Sequence, residues 1–162
     1  MVTLGLGTAA AVRVGNAVGR DDLRGVRQAG WIAVGMIFAV MFVVGIAIHL
    51  LRGDIASLYS SDSAVIEEAL PALAVISFLV IFDGMQGVLM GALRGTGDVV
   101  MPMASYLIAF WGCALPLCYY WGYRQGTGAV GIAQGLTAGL LVICSLLAGR
   151  FFIVSRRHIR VA

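Results

Sequence analysis

Charge is scarce in this chain of 162 residues. Charged side chains make up 12% of the sequence, lysine is absent, and 60% of the residues are hydrophobic. About a quarter of the residues in a soluble domain are charged, so this composition excludes an ordinary soluble fold. The mean hydropathy of +0.97 indicates instead a protein that lies largely within a lipid bilayer.

Cysteine and histidine are also rare, and neither forms a metal or redox motif. Cys113, Cys118 and Cys144 lie inside apolar runs, without the CxxC or Cys/His spacing of such sites. We expect them to be small side chains that face lipid or other helices. His49 and His158 lie at the edges of apolar runs, without a second ligand nearby, and are expected to be interfacial.

The short motifs of phosphate chemistry and hydrolysis are missing as well. The segment Gly95-Thr96-Gly97-Asp98 lacks the Gly-Lys-Ser/Thr of a phosphate-binding loop, and neither GxSxG nor HExxH occurs. We therefore predict neither an enzyme nor a bound cofactor. A nucleic-acid partner is not expected, because the arginines lie singly or in small groups between apolar runs.

Five apolar segments remain between the charged and turn-forming residues, at about 1–18, 28–51, 65–92, 99–122 and 127–154. A span needs about 20 mostly apolar residues, so the last four are long enough to cross a bilayer. The first is short, and we expect it to be the inner end of a helix whose beginning is missing. The pattern predicts an all-α integral membrane bundle, a single membrane domain over residues 1–162 with four full transmembrane helices and a partial N-terminal one.

The arginines predict the orientation of this bundle. The first and third connections and the C-terminal region hold eight of them, whereas the second and fourth connections hold two. The eight are Arg20, Arg24, Arg27, Arg94, Arg150, Arg156, Arg157 and Arg160. Because cytoplasmic loops carry an excess of Lys and Arg, we predict a multi-pass protein of the inner (plasma) membrane with a cytoplasmic C-terminus.

Small residues and one proline predict how the helices are shaped and packed. Small residues recur at intervals of about one helical turn, as Ala11, Gly15 and Gly19 and as Gly84, Gly87 and Gly91. Such spacing lets helices approach closely in lipid. Pro71 and Pro102 fall in the first turns of their segments, whereas Pro116 lies inside a helix and predicts a bend there.

Asp83 is the candidate for chemistry. It lies four residues beyond the midpoint of its segment at Leu79, which places it about 6 Å from the bilayer centre. A charged side chain there costs at least about 2.5 kcal/mol on insertion scales and by default marks an ion or substrate pathway. A carboxylate can hold a proton or a cation, so we predict an ion-coupling residue, with sodium as the one candidate metal ion. The alternative is a carboxylate hydrogen-bonded to a neighbouring helix for packing alone.

Gln86 and Met90 follow Asp83 on the same helical face. Gln86 can contribute an amide to the same site or form an interhelical hydrogen bond, and Met90 can line a pathway or pack in the core. Arg13 and Asn16 lie near the inner end of the first segment. There Arg13 can either extend toward lipid headgroups or pair with another loop.

Three runs of the sequence together resemble a known family. They are LGLGTAAAVRVGNAVGRDD, FDGMQGVLMGALRGTGD and, after a helix with Pro116 and tyrosines, GAVGIAQGLTAGLL. In order and spacing they resemble the C-terminal lobe of the multidrug and toxic compound extrusion (MATE) transporters, over essentially the whole chain. The residues assigned to this structural motif are Arg13, Gly15, Asn16, Gly19, Arg94, Gly95 and Pro116.

The resemblance implies an antiporter of twelve helices in two lobes, which expels organic cations in exchange for sodium ions or protons. This chain would match the end of helix eight through helix twelve, and the acidic residue of the C-lobe cation site would fall on Asp83. The other acidic partner, on helix seven, has no counterpart here. The implied partners are the lipid bilayer, small organic cations, and a missing N-terminal lobe or a second copy of the chain.

Other functions remain open from the sequence. The chain could be a truncated membrane fragment with a structural or regulatory role and no transport. It could also form a complete pore by pairing with a second copy. A flippase for lipid-linked sugars is a further alternative. It would need a basic cavity within the membrane, for which Arg13 is the one candidate.

Overall fold

The computed structural model describes residues 1–156, so the predictions for Arg157, His158 and Arg160 lie outside the described residues. Helix accounts for 89% of the described part, and no strand occurs in it. The helices are α1 (Val2–Gly19), α2 (Leu23–Leu50), α3 (Arg52–Tyr59), α4 (Ser63–Gly95), α5 (Val100–Leu107), α6 (Leu115–Cys118) and α7 (Gly128–Val154).

A single long helix, Val100–Arg124, contains both α5 and α6. Within it, Ile108–Ala114 and Tyr119–Arg124 are π-helical, and we call the whole segment the π-containing span. Four helices in the described residues are long and apolar enough to cross a membrane: α2, α4, the π-containing span and α7. This confirms the predicted all-α membrane bundle with four full spans, to which α1 adds a shorter helix of 18 residues.

Two helices, α2 and α4, begin earlier than the apolar segments predicted, because aspartates cap them. The Asp22 carboxylate accepts a hydrogen bond from the Gly25 N–H at 2.9 Å, so α2 starts within the predicted first connection. Asp62 accepts from the Ala64 N–H at 3.0 Å in the same way and starts α4. Hydropathy therefore located the membrane-crossing parts but missed the polar first turns.

Glycines bring α1 and α4 into backbone contact. A Cβ on Gly91 would overlap the backbone of Gly7, and one on Gly95 would lie 2.5 Å from the Ala11 carbonyl oxygen. The predicted close packing is therefore present along Ala11 and Gly15, but it does not extend to Gly19. In residues 1–156 no atom lies within 4 Å of a Cβ built on Gly19, because this exposed residue ends α1 just before the turn into α2.

A second glycine row joins α7 to the second half of the π-containing span. On α7, Gly135 faces the backbone of Cys118, and Gly139 faces Ala114. A Cβ added at either glycine would lie 2.5 Å from the facing residue. A Cβ on Gly131 would lie 2.6 Å from the backbone of Trp121. The half of the span that contains Pro116 is thus fixed against α7, while α5 extends beyond this row.

The core lies between α1, α2, α4 and α7, and its side chains are almost entirely inaccessible. Its largest members are Val14, Ile37, Leu89, Leu93, Ile143, Leu147 and Phe151. Phe151 fills the space beside Gly30 and meets Trp31 edge to face, with ring centroids 5.9 Å apart. The bundle therefore holds α4 at its centre, and α4 carries the predicted functional residues.

Candidate functional site

An open groove of about 1050 Å³ lies between α1, α4 and the first half of the π-containing span. The residues that α4 contributes to its lining are Asp83, Gln86, Gly87, Met90, Gly91 and Arg94. The spacing of Asp83, Gln86 and Met90 predicted a common face, and in the structure all three line the same groove. Gly87 and Gly91 let α1 approach α4 closely along this groove, because a Cβ on Gly87 would meet the Thr3 side chain and one on Gly91 the Gly7 backbone.

Gln86 connects Asp83 to the opposite wall of the groove. Its Nε2 donates to Asp83 Oδ1 at 3.4 Å and to the Tyr106 hydroxyl at 3.3 Å. Gln86 is buried, at 8% exposure, whereas Asp83 is exposed to the groove. Among residues 1–156 the Gln86 Oε1 has no hydrogen-bond partner. The amide is thus oriented by its nitrogen, and its oxygen is left unsatisfied.

Tyr106 is a site residue that our sequence reasoning missed. It lies on α5, and its ring stacks on Phe110 with centroids 5.5 Å apart and planes 5° from parallel. Phe110 and Trp111 also line the groove. The signal was present as Tyr106 and Phe110 at positions i and i+4 of one helix, which share a face. What the sequence could not give is that this face turns toward Gln86.

Arg94 lies on the groove lining one turn beyond Met90, and its Nη2 lies 3.5 Å from the Met90 sulfur. The basic side chain that lines the groove is therefore Arg94 rather than Arg13. Arg13 and Asn16 are exposed on α1, and neither lines the groove. In the described part of the chain Arg13 makes no ion pair, which favours its extension toward headgroups over pairing with another loop.

Pro116 occupies α6, between the two π-helical segments. Just before it, the Leu115 N–H bonds to the Phe110 carbonyl, five residues back. Proline has no N–H to donate and its ring clashes with the carbonyl of the preceding turn, and the wider π-helical turns occur on both sides of it. The axis bend at Pro116 stays a prediction.

Two cysteines, Cys144 and Cys118, and His49 make contacts with other helices. The Cys144 thiol donates to the Phe82 carbonyl at 3.2 Å, and the Cys118 thiol to the Ile132 carbonyl at 3.3 Å. His49 Nδ1 lies 3.3 Å from the Ser77 hydroxyl, so its partner is α4. Within residues 1–156 no group of three or more His, Cys, Asp or Glu side chains could hold a metal ion.

Comparison with known proteins gives the family. A family model described as MatE matches residues 1–120. The chain belongs to the MatE family. Among curated relatives, it is 38% identical over 161 residues to a probable multidrug resistance protein NorM of Rhodopseudomonas palustris, covering 96% of this chain and 34% of that protein. It is 40% identical over 164 residues to a probable NorM of Mesorhizobium japonicum, covering 93% and 33%.

Solved MatE structures have the same fold. The crystal structure of the eukaryotic MATE transporter AtDTX14 superposes with a TM-score of 0.85 at 24% identity, over 96% of this chain and 36% of that one. An inward-facing multidrug resistance MATE family transporter gives 0.73 at 22% identity, over 90% and 33%. The chain therefore spans about a third of the length of the MatE proteins that it matches.

Proposed function

We propose that this chain is part of a MatE-type secondary antiporter that exports organic cations, including xenobiotics, in exchange for sodium ions or protons. One observation carries the proposal. Asp83 faces an open groove from a membrane-crossing helix, Ser63–Gly95. Asp83 lies four residues beyond the midpoint of that helix, which places it about 6 Å from the midpoint along the helix axis.

The groove surrounds this carboxylate with groups that suit a hydrophobic cation. The faces of Phe110 and Trp111 attract cations through their ring quadrupoles. The polarizable, flexible side chain of Met90 adapts to ligands of different shape. Asp83 supplies the opposite charge. These features support a site that accepts a range of organic cations.

Ion coupling follows from the competition for one carboxylate. A proton or a sodium ion on Asp83 cancels the charge that holds an organic cation, so binding of one weakens binding of the other. In an exchanger the site must face the two sides of the membrane in turn, usually between two repeats of the fold. We infer that the second repeat is either an N-terminal lobe or a second copy of this chain.

The orientation belongs to the same proposal. Arg20, Arg24, Arg94 and Arg150 lie at one end of the bundle, the end at which the Asp98–Arg150 pair joins α7 to the loop after α4. By the excess of arginine, we assign this end to the cytoplasm, with the C-terminus on the same side of the plasma membrane.

The test is ion-driven efflux of a fluorescent organic cation from proteoliposomes that contain the chain, either alone or together with the N-terminal lobe of a relative. The expected result is efflux in the presence of a sodium or proton gradient, and its loss in Asp83→Asn. Asp54→Asn is the matched control, since Asp54 is exposed on α3 and lies outside the groove. Efflux that persists unchanged in Asp83→Asn would overturn the proposal.

A non-transporting membrane fragment is the second candidate, and the coverage of about a third of each relative favours it. It predicts that the chain inserts correctly and binds organic cations but gives no efflux alone. Efflux that returns when the missing lobe of a relative is co-reconstituted would distinguish half of a transporter from a structural fragment.

A further inference from the structure

The Gln86 amide has an oxygen without a hydrogen-bond partner among residues 1–156, and it lies next to Asp83, whose charge a proton or a cation would neutralise. The Nε2 end faces both Asp83 and Tyr106, at 3.4 and 3.3 Å, while the buried Oε1 end lacks a partner among residues 1–156. Burying a carbonyl oxygen without a hydrogen bond is costly. A second arrangement would use this oxygen and leave Nε2 without a partner instead, so the charge on Asp83 decides which of the two is favoured.

Rotation of the amide offers that second arrangement. The terminal torsion of glutamine is soft and roughly two-fold, so the nitrogen and oxygen can exchange places without moving the backbone. With Asp83 ionised, the amine end suits the carboxylate. With a proton or a cation on Asp83, the oxygen end suits it better, because the oxygen can accept the acid O–H or bind the cation.

Tyr106 fits both arrangements, because a hydroxyl can donate and accept. With the amine end inward, the Tyr106 oxygen accepts from Gln86 Nε2, as observed. With the oxygen end inward, the Tyr106 O–H donates to Gln86 Oε1. The link between α4 and α5 is thus kept in both states, while the direction of its hydrogen bond reverses.

We propose that Gln86 and Tyr106 are positioning residues that register the occupancy of Asp83 by rotation of the Gln86 amide. The inference rests on the proposed function, in which Asp83 exchanges a proton or sodium ion. An arriving proton comes from water, bonds to an Asp83 carboxylate oxygen and is shared with Gln86 Oε1. No other covalent bond changes.

The other titratable or charged groups near Asp83 are few. In the described residues they are the Tyr106 phenol of α5, Arg94 of α4 and the amino group of Met1, which line the groove, and the Cys144 thiol of α7, which is within electrostatic reach of Asp83. Asp83→Asn leaves these groups in place, so any response that remains in that variant comes from them and not from Asp83.

The test is infrared difference spectroscopy of the chain in lipid, with glutamine labelled by ¹³C at the side-chain carbonyl, as pH is lowered or sodium ions are added. Four glutamines carry the label, Gln28, Gln86, Gln125 and Gln134. The expected result is a labelled amide band that changes as Asp83 is neutralised, and that is lost in both Gln86→Met and Asp83→Asn. Gln134→Met, at an exposed position of α7, is the matched control and should keep the band.

Tyr106→Phe gives a second reading that does not remove the amide. The band should remain but shift in frequency, because the amide loses one partner, whereas Tyr119→Phe on the exposed surface should leave it unchanged. A carboxylic acid band from Asp83 that titrates while the labelled glutamine band stays unchanged would overturn the proposed amide rotation, but it would leave the proposed function standing. The absence of any Asp83-dependent change with protons, sodium ions or an organic cation would overturn both. The labelled wild-type chain and Asp83→Asn decide this even if Gln86→Met does not fold.

Discussion

The Nε of Arg150 donates to the Oδ2 of Asp98 at 2.6 Å, which ties α7 to the short loop between α4 and α5. The Asp98 side chain is 14% exposed and that of Arg150 is 33% exposed. The loop also contains Gly97, whose φ of 80° suits glycine. This ion pair therefore holds the C-terminal end of α4, the helix that carries Asp83, Gln86 and Met90, against α7.

Removing this ion pair should cost little stability. Asp98→Asn keeps the Oδ1 that accepts from the Met101 N–H, but it loses the charge that holds Arg150. Because Arg150 can still reach solvent, we expect a loss of about 1 kcal/mol in the free energy of unfolding. Unfolding in mixed micelles measures it. Arg124→Gln, exposed at the other end of the bundle, is the control, and equal losses in both variants would contradict the assigned role.

A methyl group at Gly91 should separate α1 from α4. Gly91→Ala would overlap the backbone of Gly7, and overpacking of this kind typically costs about 1–3 kcal/mol. The free energy of unfolding in the same micelles measures the loss. Gly5→Ala is the matched control, because no atom of the described part of the chain lies within 4 Å of a Cβ there. If both variants are equally stable, the close approach of the two helices is wrong.

Gly135 should control how tightly the π-containing span is held against α7. A Cβ there would lie 2.5 Å from the backbone nitrogen of Cys118. Gly135→Ala should therefore expose the Cys118 thiol and raise its rate of maleimide labelling about tenfold, which corresponds to about 1.4 kcal/mol of lost packing. The measurement uses a chain in which Cys113 and Cys144 are replaced by alanine. Gly149→Ala is the control and should leave the rate unchanged, because within residues 1–156 no atom lies within 4 Å of a Cβ there. An unchanged rate in Gly135→Ala would refute the close contact between Gly135 and Cys118.

Hydropathy and helical periodicity were enough to predict the spans and part of the groove. Apolar length gave the four full spans, because a helix must cover the hydrocarbon thickness whatever its neighbours are. The three-residue and seven-residue spacings gave the common face of Asp83, Gln86 and Met90, because this depends on one helix alone. Helix starts were predicted too late where Asp22 and Asp62 extend the helices into polar sequence.

Contacts between helices were beyond the reach of the sequence. Tyr106 is 20 residues from Gln86 along the chain, and its role depends on how two helices turn toward each other in lipid, where small residues set the approach. The same limit explains Gly19, which continued a regular spacing but lies past the contact that Ala11 and Gly15 make. A pattern on one helix shows which residues share a face, and packing alone decides what that face meets.

The central claim is that Asp83 binds an organic cation in competition with the coupling ion. The decisive measurement is binding of tetraphenylphosphonium to the chain in lipid nanodiscs, read by the fluorescence of the groove residue Trp111 after Trp31 and Trp121 are replaced by phenylalanine. We expect saturable quenching that sodium ions or protons reverse. The Kd should be at least about tenfold weaker in Asp83→Asn, because attraction to an opposite charge a few ångströms away near a protein surface is worth about 1.4 kcal/mol or more. An equal Kd in both proteins, or binding insensitive to both ions, would contradict it.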